Sequence, residues 1–388
     1  MDDTVFKARI ISGLNEVSPD AWNGLANPEG LSYDPFLSWE FLEALESSGA
    51  ARPETGWSPC HVLVEGPGET LLAAMPLYAK THSQGEFVFD HSWADAYERT
   101  GGHYFPKLLS AVPFTPVTGR RLFVKPGPEQ DRLQNALLSA ALQIATQNDF
   151  SSLHVNFIEP GFAEQMGETG LLIRTDQQFH WHNDGYSDFS DFLAVLSSAK
   201  RKNLRKERAK AQTGLTFKHL QGDAIKEHHW DAFFEFYMDT GARKWGYPYL
   251  NRDTFSILGE RLADQILLIL AYEGETPIAG ALNFIGSETL YGRYWGCTAA
   301  RPFLHFETCY YQAIDYAIAN GLNAVEAGAQ GGHKLARGYA PVTTYSAHWI
   351  AHKGLREAID QYLERERQAV EHESEYLQKR TPFRKDIS

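Results

Sequence analysis

The second half of the chain carries the clearest alternation of apolar and polar positions. Residues 291–296 read Tyr-Gly-Arg-Tyr-Trp-Gly, an aromatic strand pattern, and Cys297 opens the loop after it. Residues 303–320 place Tyr310, Ile314, Ala317 and Ile318 at helical spacing, and Gly321 stands where a helix C-cap is expected. A short apolar strand at 322–327 follows. The glycine-rich turn Gly328-Ala329-Gln330-Gly331-Gly332-His333-Lys334 then leads toward a short helix, and residues 343–350 form a last strand. This order predicts an α/β unit with a site at its strand ends.

The same order is legible earlier. Residues 21–48 read as helical, and 60–64 with 70–78 as two strands joined by the Gly- and Pro-containing turn 65–69. A strand is expected at 85–93, a polar aromatic loop at 90–104 and a strand at 107–114. A helix at 131–147, a strand at 152–158, a short helix within 161–170 and the segment 171–182 complete this half. Its hairpin matches 267–272 with 277–285, its helix matches 310–320, and Phe179-His180-Trp181-His182 stands where Ala347-His348-Trp349-Ile350 stands. The chain therefore reads as two copies of one mixed α/β unit with a cleft between them. The expected division is 1–196, a basic helical segment at 197–214, a second copy at 215–354, and a charged C-terminal helix at 355–388.

A length of 388 residues with 43% hydrophobic content suits two globular cores. No apolar run suggests a membrane span and no N-terminal pattern suggests a signal peptide, so the cytoplasm is the expected compartment. Cys60, Cys297 and Cys309 are too few and too scattered for a disulfide framework or a four-cysteine metal site. His180 and His182 share one strand face, but no third ligand has motif spacing, and no metal is expected.

A net charge of −13 repels polyanions on average, so such a partner needs a local patch. Residues 197–214 supply one: Lys200, Arg201, Lys202, Arg205, Lys206, Arg208 and Lys210 stand against the single acid Glu207. Arg201, Arg205 and Arg208 fall on one helical face with Lys202 and Lys206 beside them, a phosphate-binding arrangement or else a solvated helix face.

The repeated unit with a basic segment between its copies resembles the tandem GNAT architecture of the Fem-type peptidyltransferases. More closely, it is similar to the bacterial Fem-like (FemAB-related) N-acyltransferases, on stretches 90–104, 113–121, 179–183, 200–207, 304–311 and 328–339. The resemblance implies two tandem GNAT-like domains moving an acyl or aminoacyl group onto an amine in the interdomain cleft. It implies no permanently bound cofactor, a donor that is aminoacyl-tRNA or acyl-CoA, and a small-molecule or peptide amine as acceptor, with peptidoglycan precursors among the candidates.

Acetyl-CoA users of this fold carry an Arg/Gln-x-x-Gly-x-Gly/Ala turn whose backbone N–H groups hold pyrophosphate. Neither Thr298-Ala299-Ala300-Arg301-Pro302-Phe303 nor Val117-Thr118-Gly119-Arg120-Arg121 fits it, which favours charged tRNA as donor. The family also leads one to expect an acid in the glycine turn, where this chain has Gly332.

Acyl transfer needs a proton acceptor and donors for the developing oxyanion. His305 and Glu307 at the helix start, with Glu326 on the next strand, are the catalytic candidates. The alternative is that Glu307 serves the helix N-terminus and His305 a loop. His333, Lys334 and Arg337 are candidate substrate ligands, as are Arg293 and Tyr294, which regular alternation puts on opposite strand faces. Asp90, Trp93, Tyr97, Arg99, His103 and Tyr104 form a second candidate set, an acceptor pocket or a structured loop with a Trp anchor. Two other classes stay open: an acetyl-CoA-dependent N-acetyltransferase and a catalytically silent binding protein.

Overall fold

Segments rich in Val, Ile, Leu and aromatic residues become strands where a pleated, buried surface receives them, and a computed structural model describes residues 6–244, 248–328 and 331–384. In chain order the first strands are β1 (Lys7–Ile11), β2 (Trp57–Pro59), β3 (His61–Glu65), β4 (Leu71–Met75) and β5 (Tyr78–Lys80). They are followed by β6 (Lys107–Ser110), β7 (Phe123–Val124), β8 (Ser152–Ile158), β9 (Leu172–His182) and β10 (Thr216–Leu220). The last are β11 (Ile266–Glu273), β12 (Thr276–Ile285), β13 (Thr289–Cys297), β14 (Ala324–Glu326) and β15 (Ala340–Ile350).

Contacts divide the chain into two compact units, Met1–Asp176 with Thr343–Glu371, and Gln177–Val342 with His372–Ser388. This division interleaves the chain, whereas the expected boundaries at 196, 214 and 354 follow it in order. The end of β15 pairs with β8 at Tyr345↔Ile158 through Ile350↔Ser152, and this pairing returns the late segment to the first unit.

In the first unit β1, β3, β4 and β7 form an antiparallel sheet, and β15, β8, β6, β5 and β2 lie side by side with only β6 and β8 parallel. The helix Gln130–Gln147 lays Leu133, Leu137, Leu138, Ala141 and Ala145 into a core with Val62, Ala73, Leu108, Leu153 and Val155. In the second unit the strand order is β10, β11, β12, β13, β14, β9, with β13 and β14 the parallel pair. Its core gathers Trp181, Phe192, Leu267, Ile269, Tyr310, Tyr311, Ile314 and Val325. The units are mixed-sheet α/β structures, as expected.

Several local expectations change. No strand covers 85–93, and the stretch expected as a loop holds the helix His91–Arg99, whose Trp93 and Ala94 are buried beside a half-buried Tyr97. The strand expected at 107–114 ends at Ser110, and Phe114 sits at φ 60°, outside any strand geometry. The helical stretch 21–48 is two helices, Pro19–Ala26 and Trp39–Ser47, with Pro28 and Pro35 between them. Cys297 belongs to β13 rather than to the loop after it. Within the glycine turn, Ala329 and Gln330 lie outside the described residues.

Candidate functional site in the second unit

Two irregularities of the second sheet open a site. Between β12 and β13, Leu282 pairs with Tyr294 and Asn283 with Gly292, so Arg293 is the extra residue of a β-bulge. The bulge defeats simple alternation, and Arg293 and Tyr294 border the same pocket instead of facing apart. Next, β13 pairs with β14 only from Thr289↔Ala324 to Tyr291↔Glu326, yet β13 runs on to Cys297. The strands part there. Asn283, Gly292, Arg293, Tyr294, His305, Cys309 and Tyr310 line a pocket of about 110 Å³ at the opening.

A π-helical turn, Glu307–Tyr311, interrupts the expected helix between Leu304–Phe306 and Gln312–Ala319. Such a turn shifts the side chains around the helix axis, and here Cys309 and Tyr310 border the pocket while Glu307 does not. Glu307 Oε1 instead accepts hydrogen bonds from Arg208 Nε at 3.2 Å, Gln212 Nε2 at 2.8 Å and Gln312 Nε2 at 2.7 Å. Burial raises its pKa, against the lowering influence of Arg208 and the two glutamines. The expected His305–Glu307 pair is thus divided, one member at the pocket and the other anchoring the basic helix.

Glu326 is also engaged, its Oε2 accepting from Arg293 Nη2 at 2.7 Å with the Arg293 side chain only 2% exposed. His180 Nε2 lies 3.8 Å from the other carboxylate oxygen, and burial lowers that imidazole's pKa despite the carboxylate beside it. Lys334 is buried and donates Nζ to Gly328 O at 2.8 Å. Burial, reinforced by the Arg293 cation, brings its ammonium down to about 7. Exposed His333 meets the Tyr310 hydroxyl through Nε2 at 2.9 Å, and the His305 ring lies 5.1 Å from Trp295, 5.3 Å from Tyr310 and 6.1 Å from His333. Arg337 donates Nη2 to Glu207 Oε2 at 2.7 Å and Nη1 to His333 O at 2.8 Å, and its guanidinium stacks 3.4 Å over Phe306. Arg293, Tyr294 and His305 therefore gather at one opening. His333 joins them through Tyr310 and Lys334 through the charge of Arg293, with Arg337 bracing His333.

The basic helix Ser198–Gln212 turns Leu204 and Ala211 inward. Arg201, Lys202, Arg205 and Lys206, with Ser198 and Ala209, line an open concavity of about 330 Å³ on the other side. Arg208 leaves the face expected for it. It pairs with Glu307 and Asp315 and stacks 4.2 Å over Phe189.

The candidate set 90–104 belongs to the first unit and closes on itself. Lys107 Nζ donates to Ser83 Oγ at 2.9 Å, Glu86 Oε2 at 2.8 Å and Asp90 Oδ2 at 2.5 Å, all buried. Tyr104 donates its hydroxyl to the same Asp90 oxygen at 2.7 Å and lies 3.2 Å from His154 Nε2, and His154 Nδ1 meets His348 Nδ1 at 2.6 Å. Burial opposes the charge on Asp90, but Lys107 and His154 hold its carboxyl well below the usual range. Trp93 packs its ring 5.0 Å from His348, and Tyr97 rests against His352, whereas Arg99 and His103 are exposed. Two of the members that sequence reasoning misses, His154 and His348, have one signal, polar residues at every second position: Ser152, His154 and Asn156 in β8, and Ser346 and His348 in β15.

The FemAB-like family model, described as peptidoglycan biosynthesis/recognition, matches residues 13–385. No curated protein matches the chain by sequence. Among solved structures, the crystal structure of FemX is 14% identical and covers 91% of this chain and 100% of its own, with a TM-score of 0.54. L-PGS from Bacillus licheniformis is 11% identical, with 86% and 98% covered and a TM-score of 0.51. A tandem GNAT protein from the clavulanic acid biosynthesis pathway is 11% identical, with 90% and 99% covered and a TM-score of 0.47.

Proposed function

Because the chain belongs to the FemAB-like family, we propose that it transfers an acyl or aminoacyl group onto an amine acceptor at the opening between β13 and β14. One observation carries this reading: a pocket where two parallel strands part, bordered by Arg293, His305, Cys309 and Tyr310, with the buried amine of Lys334 close enough to feel the charges of Arg293 and Cys309. Transfer to an amine must remove a proton as the acyl carbonyl is attacked, and the ideal acceptor has a pKa near the working pH. Lys334, brought to about 7 by burial, meets that requirement. His305 and the Tyr310–His333 pair supply hydrogen-bonding groups for the carbonyl oxygen. Arg293, neutralised by Glu326, keeps a second cation beside Lys334 and favours its neutral form.

The donor on this reading is aminoacyl-tRNA, its phosphates held by Arg201, Lys202, Arg205 and Lys206 on the outer face of the basic helix. The acceptor class is a peptide amine of the kind found in peptidoglycan precursors, which the family description favours. Acyl-CoA is the competing donor.

Purified protein is to be incubated with charged tRNA or acetyl-CoA and a panel of amines that includes a peptidoglycan precursor peptide, with mass spectrometry as readout. The expected product carries the aminoacyl mass and disappears in Arg205→Glu/Lys206→Glu. Transfer from acetyl-CoA alone would replace the tRNA reading, and no transfer from either donor would leave a binding protein.

A further inference from the structure

The basic helix has a second, inward face, and on it stands the only acid of its basic segment. Glu207 Oε2 accepts hydrogen bonds from the Tyr311 hydroxyl at 2.8 Å and from Arg337 Nη2 at 2.7 Å. Those two partners come from the two segments that furnish the candidate transfer site. Tyr311 closes the π-helical turn that carries Cys309 and Tyr310. Arg337 ends the 3₁₀ turn Gly332–Arg337 that carries His333 and Lys334. A single carboxylate oxygen thus ties both segments to one helix.

The 3₁₀ turn is flanked by Gly331 at φ 127° and Gly338 at φ 88°, conformations that favour glycine. Arg337 braces the turn by donating to the His333 carbonyl at 2.8 Å and stacking 3.4 Å over Phe306, the neighbour of His305. The Arg337 guanidinium is itself nearly buried, so its direction depends on a carboxylate that neutralises it, and Glu207 is that carboxylate. Tyr310, Tyr311, Leu335 and Tyr339 belong to an apolar core that holds the fold without Glu207.

We propose that Glu207 is a positioning residue of the transfer site: acting through Arg337 and Tyr311, it fixes where Lys334, His333 and Cys309 stand relative to one another. The proposal rests on the reading of this pocket as the place of transfer. It also makes the basic helix a strut, with the donor's phosphates assigned to one face and the alignment of the reacting groups to the other.

The test needs no substrate. Full-length wild type, Glu207→Gln and Glu207→Asp are alkylated with iodoacetamide and, separately, methylated with formaldehyde and borohydride across pH 6 to 10, with peptide mass spectrometry locating each modification. In Glu207→Gln the Cys309 rate is expected to rise at least about fivefold and the Lys334 midpoint to move up toward an ordinary lysine, while Cys60 in the other unit keeps its rate. Glu207→Asp is expected to restore part of both. Unchanged Cys309 and Lys334 in Glu207→Gln, at an unaltered melting temperature, overturn the proposal.

If Glu207→Gln does not fold, Tyr311→Phe removes one contact alone, and the same direction of change at smaller size is expected; no change there overturns the proposal equally. An unstructured RNA oligonucleotide titrated in parallel keeps the two readings apart. Its affinity is expected to stay within about twofold in Glu207→Gln, and failure of the wild type to bind it removes the phosphate face without touching the labelling result.

Discussion

Lys107 in the first unit and Lys334 in the second are both buried, yet the two clusters differ in what is left over. Lys107 donates all three of its N–H bonds, to Ser83, Glu86 and Asp90, and the chain of contacts runs on through Tyr104 to His154 and His348. The cation is fully used there, although Glu86 Oε1, Asp90 Oδ1 and Trp93 Nε1 stay buried with no hydrogen-bond partner among the described residues. Lys334 has a backbone carbonyl and no carboxylate within ion-pair distance among the described residues, and the groups near it border a void. The comparison separates structure from chemistry: a buried cation spent on its own carboxylates stabilises a fold, and a buried amine with only a carbonyl partner has capacity left for a ligand.

The sharpest way to break the comparison is one substitution made twice. Lys107→Met leaves Asp90 buried without its cation and Glu86 with only Lys80 at 3.9 Å, and breaking such a pair costs about 3–5 kcal/mol. Urea unfolding measures it. Lys334→Met strands no carboxylate and replaces a buried amine with an apolar chain, so the melting temperature is expected to hold or rise. Transfer activity is expected to fall on the order of 100-fold, with loss of the rise in rate through about pH 7 that a Lys334 proton acceptor produces. Equal stability losses in the two variants would erase the distinction.

Sequence patterning revealed these clusters unevenly, for physical reasons. The hairpins and the strands at 152–158 and 322–327 were legible because alternation or an apolar run is a local signal. The set at 90–104 read as a site because many functional groups fell close together. Its closure depends on Lys107, His154 and His348, which are remote in sequence and meet only when β6, β8 and β15 pair. In the second unit alternation puts Arg293 and Tyr294 on opposite faces, since it carries no sign of a bulge. A regular helix would set Glu307 beside His305, but local sequence carries no sign of the π-helical turn, in which Glu307 bonds to Arg208 of the basic helix. That Glu207 faces inward was open to a helical reading, because Leu204 and Ala211 mark the buried side of the same helix.

Acid separates the units next. Burial depresses His154 to about 3 and His348 well below its ordinary value, so both stay neutral when folded. The unfolded chain takes up these protons below about pH 6.5. Their contribution to stability is therefore complete above that pH and is lost as pH falls toward 3. Glu86, pushed up to about 7 by burial, works the other way, since the folded state holds its proton first; its contribution declines as pH rises from about 4.5 to 7. Lys80, lowered to about 7 by burial, acts only above that window. Stability should then fall gently from pH 6.5 to 4.5, by about 2.5 kcal/mol, and more steeply below, approaching about 2.7 kcal/mol per pH unit for two protons. Urea unfolding from pH 7 to 4 in wild type and His348→Gln tests this: the variant is expected to lose about half of the steep limb, and an unchanged limb would place the acid sensitivity elsewhere.

The smallest effect belongs to the outer face of the basic helix. Arg201 and Arg205 sit at an open concavity, where each charge is solvated and contributes modestly. Replacing both with Ala is expected to weaken RNA binding about tenfold at low salt and to reduce the slope of log affinity against log salt by about 1.4, the loss of two single-strand phosphate contacts. Arg208→Ala is the control on the same helix. Its guanidinium is spent on Glu307 and Asp315, so the salt slope should hold while stability falls, because the carboxylate of Glu307 remains buried without its cation. Should Arg208→Ala change the slope as much as the double variant, the two faces of the helix do not have separate tasks, and the contrast between a group that completes a fold and a group held ready for a ligand fails on the element where it is most directly drawn.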